Sequence, residues 1–148
     1  MRSKPSFWYS VLAVLILLDV FGPALLGAGD PPLWLHHLEH AFLLAAGGGF
    51  GVLYARRHPK PYGDPGWLFA VIGLSAASLL LMLPDVYGNV DAFPVLHSLL
   101  HLAFVGIGYV GGYTAERYSP RSGVAWTLIV VMMGVITATG FGAPGPHV

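Results

Sequence analysis

Leu35-His36-His37-Leu38-Glu39-His40 opens the stretch that decides how this chain folds, because its pattern returns further along without a gap. Residues 35–60 align on residues 96–121 at a constant offset of 61, with Leu35/Leu96, His36/His97, Leu38/Leu99, His40/His101, Gly47/Gly108, Gly51/Gly112, Arg56/Arg117 and Pro59/Pro120 identical. Just upstream, Leu17-Leu18-Asp19-Val20-Phe21-Gly22 aligns on Leu83-Pro84-Asp85-Val86-Tyr87-Gly88 at an offset of 66. Each half therefore carries one Asp followed by His-x-x-x-His. Ionisable groups within apolar segments are costly to bury in lipid, so a duplicated set of them points to function.

Of the 148 residues, 55% are hydrophobic and only 9% are charged. A soluble domain carries about 25% charged residues. Five apolar segments, 6–28, 33–55, 66–84, 94–115 and 123–143, approach the ~20 residues needed to cross a bilayer as a helix. They predict an all-α integral membrane fold, with residues 1–148 as a single transmembrane domain. Repeats at about 12–60 and 78–121 would supply four helices, a duplicated pair arranged as a pseudo-two-fold bundle about the membrane normal. The helix at 123–143 is an addition. The first span reads as an uncleaved membrane helix rather than a signal peptide.

All seven Lys and Arg residues fall on one side of this arrangement. Arg2 and Lys4 precede the first span, Arg56, Arg57 and Lys60 follow the second, and Arg117 and Arg121 follow the fourth. The positive-inside rule makes that side cytoplasmic, so a multi-pass plasma-membrane protein is expected, N-terminus inside and C-terminus outside. Tyr9, Tyr54, Tyr113, Tyr118 and Trp126 then lie near the inner interface, and Trp34 and Tyr87 near the outer one. Asp19, Asp85 and the start of both histidine segments belong to the outer half. Zero formal net charge leaves no electrostatic footprint for nucleic acid. The expected partners are the lipid bilayer and other membrane subunits. The absence of cysteine excludes disulfides and thiolate metal sites.

Helical residues advance by about 100° each, which places His36, His40, Gly47 and Gly51 on one stripe about 60° wide. His97, His101, Gly108 and Gly112 share the equivalent stripe. Gly-x-x-x-Gly allows close backbone approach in membranes, so the second and fourth spans are expected to meet there and bring four imidazoles together. Asp19 and Asp85 could join as ligands or as carboxylates orienting imidazole N–H groups. His37 lies about 100° off the stripe and is expected at the interface. Neither His37 nor Glu39 has a repeat mate.

Imidazole and carboxylate suit Zn²⁺, Cu²⁺ or iron, whereas Cu⁺ trafficking normally uses Met or Cys sulfur. A metal ion held by His36, His40, His97 and His101, with Asp19 and Asp85, is the leading reading. One b-type haem is the alternative, with His40 and His101, or His36 and His97, as axial ligands and Gly47 and Gly108 admitting the macrocycle, in a single-haem or quinone-linked electron-transfer subunit. A cofactor-free scaffold subunit is the third. His36-His37-Leu38-Glu39-His40 also matches an inverted zinc-protease motif formally, but the duplicate lacks the glutamate. Whether any reaction is catalysed stays open on these residues.

Leu35-His36-His37-Leu38-Glu39-His40-Ala41-Phe42-Leu43-Leu44 resembles the His-x-x-x-His helix of the CtaG-type cytochrome-oxidase assembly proteins, and of similar small archaeal membrane proteins of unknown function. The resemblance covers this helix and, more weakly, its repeat. It implies copper delivery to a terminal oxidase or assembly of such a respiratory complex. His36 and His40, and through the repeat His97 and His101, would inherit the ligand role. This chain is shorter and has fewer spans than that family.

Overall fold

The structure, a computed structural model, describes residues 9–10, 13–14, 17, 33–59, 61, 65–81, 83, 86, 89 and 93–141. Four helices carry most of them: α1 (Leu33–Arg57), α2 (Pro65–Leu81), α3 (Pro94–Tyr118) and α4 (Ser122–Phe141). Among the described residues there is no strand. These bounds depart from the predicted segments by no more than one turn. Of the first predicted span, Tyr9, Ser10, Ala13, Val14 and Leu17 are described, and all are helical. Asp19 and Asp85 lie outside the described residues.

Local chemistry accounts for the helix ends. Pro94 occupies the first turn of α3 after an extended Phe93, where its missing N–H costs nothing. Arg56 and Arg57 sit in the last turn of α1, favourably placed against the helix dipole, and Pro59 follows. Between α3 and α4 the chain turns within Ser119-Pro120-Arg121. Ser119 N–H donates to Ala115 O, Ser122 N–H donates to Ser119 O, and Arg121 takes a left-handed φ of 69°, uncommon for a residue with a side chain.

At 25 residues each, α1 and α3 run about 37 Å, more than the ~30 Å hydrocarbon layer of a bilayer. By length and composition both can cross a membrane. Their mutual contact is the most extensive among the four described helices; α1 also packs on α4, and α3 on α2 and α4. Glycine makes the α1–α3 approach possible. A Cβ at Gly47 would stand 2.1 Å from Val105 O, and one at Gly51 2.1 Å from Tyr109 O. From the other side, a Cβ at Gly108 would stand 2.2 Å from Leu44 O, and one at Gly112 2.3 Å from Gly48 O. Real Cβ atoms essentially never come within 3.0 Å, so the backbones touch only because these positions are bare. The contacts climb both helices in the same order, so α1 and α3 are parallel. Exchanging each residue for its mate at the offset of 61 converts Gly47–Val105 into Gly108–Leu44, and Gly51–Tyr109 into Gly112–Gly48.

Leu43, Leu44 and Phe104 are sealed in the core, joined by Leu100, Trp126 and Val130. Trp126 corrects an expectation: it is buried, not an interfacial anchor. Its indole N–H donates to Ser75 Oγ at 2.8 Å, and a Cβ at Gly111 would lie 2.2 Å from its ring. A bare Gly111 on α3 opens the slot that takes the ring, which a sequence read for interfacial aromatics does not reveal. Outside this core, Phe69 and Ile72 on α2, Val95 and Leu99 on α3, and Leu128, Met132 and Ile136 on α4 are each more than half exposed. So apolar an exterior exceeds what soluble monomers normally show to water.

Glu116 locks the end opposite the histidines. Its buried carboxylate accepts from Arg56 Nε at 2.8 Å and from Gly123 N–H, in the first turn of α4, at 3.2 Å. One acid thus joins α1, α3 and α4. Arg56 is half exposed, so the ion pair itself is screened, and the loss on truncation comes mainly from the stranded backbone donor. Glu116→Ala should destabilise by about 1–3 kcal/mol, read as a lower Tm in detergent, and Glu116→Gln by less. An unchanged Tm in Glu116→Ala would show that the pair holds nothing together.

Candidate metal centre

The first two turns of α1 present His36 and His40 one turn apart, and the first two turns of α3 present His97 and His101. Because the helices run parallel at a matching level, the rings gather. The His36 and His40 centroids are 4.4 Å apart, His40 and His101 4.9 Å, and His36 and His101 5.2 Å. His97 lies alongside, 4.8 Å from His36 and 4.6 Å from His101. His36, His40 and His101 are buried and each offers a ring nitrogen, all of these within 4.8 Å of one another. His97 is less deeply covered and falls outside that tightest group. Phe104 closes the floor, its ring 4.5 Å from that of His40. The mate of Phe104 in the other half is Leu43, also fully buried, so a dry apolar layer separates the imidazoles from the glycine crossing.

Two residues acquire places that the repeat did not assign. Glu39 Oε2 lies 3.1 Å from His36 Nδ1, one turn along the same helix. A carboxylate that takes the Nδ1–H fixes the ring and its tautomer, turning Nε2 toward the cluster. The i,i+3 spacing in the sequence carried that signal. His37, expected at the interface, is instead buried, with its ring 6.1 Å from His40. Beside the stripe α1 packs on α4, where Gly134 lies against Ala41, one turn from His37. A fifth imidazole therefore borders the group.

At Gly47 and Gly108 the space that a Cβ would take is closed to a ligand. Each is filled by the backbone of the opposite helix, so a flat macrocycle does not fit between α1 and α3 at these residues. They are helix contacts. Asp19 and Asp85, the carboxylates expected to join the histidines, lie outside the described residues. Glu116, absent from any sequence-derived site, belongs to the opposite end of α3, where an acid inside an apolar segment has found an arginine partner.

The arrangement offers nitrogen ligands from two parallel helices, an oriented first imidazole and an apolar floor. That chemistry suits a divalent ion of borderline softness and not a hard, oxygen-seeking one. No family model, no curated protein and no solved structure matches this chain.

Proposed function

We propose that this chain is an integral membrane protein that binds one metal ion between its two histidine helices, near the outer face, and serves in metal handling, copper included, or as an accessory subunit of a respiratory or oxidase complex. The observation that carries this reading is the burial of His36, His40 and His101 with ring nitrogens within 4.8 Å on two helices of membrane length. In a tetrahedral site with metal–nitrogen bonds of about 2.1 Å, ligand nitrogens stand about 3.4 Å apart. The ligand atoms, within 4.8 Å of one another, would have to draw together to that spacing on binding. His97, Asp19 or Asp85 would complete the sphere, with Glu39 orienting His36. No sulfur ligand stands among these residues, which favours Zn²⁺, Cu²⁺ or iron over Cu⁺. A bare ion is favoured over one haem b by the backbone contact at Gly47 and Gly108.

The membrane reading extends to five spans with a duplicated helix pair. Its supports are the apolar exterior, the one-sided basic residues and the reciprocal glycine contacts. The likeness to CtaG-type assembly proteins adds copper delivery to a terminal oxidase as the specific role within this reading. Elemental analysis and an absorption spectrum of detergent-purified protein test it together. About one equivalent of Zn, Cu or Fe with no Soret band is expected; a Soret band restores the haem reading, and a metal-free protein leaves a scaffold.

Topology has its own check. The chain has no cysteine, so a single one introduced by His58→Cys at an exposed position reports cleanly. It should react with an impermeant maleimide only after the inner face is opened. Labelling of intact cells from outside would invert the placement of the histidines.

A further inference from the structure

A groove of about 690 Å³ runs along the inner half of α1 and α3, away from the histidines, lined by Tyr9, Phe50, Tyr54, Arg57, Val105 and Gly106 among others. We infer that it seats one anionic glycerophospholipid, with an acyl chain along the aromatic wall and the phosphate at Arg57. This rests on the membrane reading and is independent of the metal.

Dimensions and charge both point to that occupant. The lining on α1 extends from Gly47 to Arg57 and His58, about 15 Å of helix, which is half the ~30 Å hydrocarbon layer. A groove one leaflet long with its cationic end at headgroup depth has the shape of a single lipid. Its wall is flat and apolar: Tyr9 and Phe50 stack at 5.1 Å with ring planes 8° apart. Arg57 holds its guanidinium 4.8 Å over the Tyr9 ring and has no carboxylate partner among the described residues. Its neighbours are committed elsewhere, Arg56 to Glu116 and Arg117 to Pro61 O. Leu102 and Tyr54, both exposed, open the groove sideways, as a lipid site requires. The feature also breaks the repeat, since Arg57 and His58 correspond to Tyr118 and Ser119. The groove thus belongs to one half of the molecule only.

Gly106 supplies the decisive variant. A Cβ there would meet nothing within 4 Å, so a large side chain enters the groove without disturbing helix packing. The full chain, purified in mild detergent, is mixed with equal amounts of dioleoylphosphatidylglycerol and dioleoylphosphatidylcholine and examined by native mass spectrometry. One phosphatidylglycerol adduct is expected, favoured about fivefold, since a basic residue at the surface contributes ~1 kcal/mol toward anionic lipid. Arg57→Gln should bring the preference near unity, and Gly106→Phe should remove the adduct of either lipid without lowering Tm. Arg121→Asn, an exposed cation outside the groove, should leave the preference intact. The inference is overturned by equal binding of the two lipids, by an adduct surviving Gly106→Phe, by Arg121→Asn acting like Arg57→Gln, or by a co-purifying ultraviolet-absorbing quinone in place of lipid. Extraction of the protein into water without detergent would overturn the membrane reading and this inference with it.

Discussion

Replacement of His101 by alanine should strip the metal from the purified protein, weakening its affinity by about 10²–10³-fold. A full set of four ligands contributes roughly 10–16 kcal/mol to a structural zinc site, so one ligand is worth about 3–4 kcal/mol. His101 is one of the three buried donors and the only one of them on α3, so its loss also removes the bridge between helices. His40→Ala should do as much. Glu39→Gln should weaken binding about 10–100-fold, the usual effect of a group that orients a ligand. Asp19→Asn and Asp85→Asn should fall in that same range if those carboxylates act through the imidazoles. His37→Ala separates two hypotheses: it lies beside the three-histidine group, not in it, so Tm should fall while affinity changes little. If His37→Ala abolishes binding and His101→Ala does not, the ion sits on α1 alone and the two-helix centre is wrong. Competition against a chelating dye of known affinity measures all six variants on one scale.

Gly51→Ala and Gly112→Ala should each cost about 1–3 kcal/mol, at the upper end for overpacking, because the new methyl meets backbone carbonyl and not a side chain that can turn away. The double variant should lose less than the sum, since the first methyl already parts the helices at the shared crossing. Metal affinity should fall in step with stability, for the crossing sets the distance between His40 and His101. Gly49 and Gly73 are the controls, as nothing lies within 4 Å of a Cβ at either one. Alanine there should stabilise by up to about 1 kcal/mol through helix propensity alone. Thermal unfolding in one detergent suffices. Equal behaviour of Gly49→Ala and Gly112→Ala would mean that α1 and α3 do not touch through their backbones.

Much of this was legible in the chain itself. Apolar segments near twenty residues, punctuated by Pro59, Pro65, Pro94 and Pro120, determine where the helices lie, because helix ends obey local rules. The 3.6-residue period places His36 and His40 on the same stripe as Gly47 and Gly51, and the offset of 61 places a matching stripe on α3. What covers the remaining faces depends on where α4 docks, and no local pattern encodes that. Trp126 therefore read as an interfacial anchor and is a core residue, and His37 read as interfacial and is buried against the cluster. Glu116 found Arg56 across 60 residues, a pairing visible only once the parallel crossing is known. The same crossing makes Gly47 and Gly108 points of backbone contact. Periodicity along one helix is a property of the sequence; the choice of partner for each face is a property of packing, and it decides which imidazoles share a site.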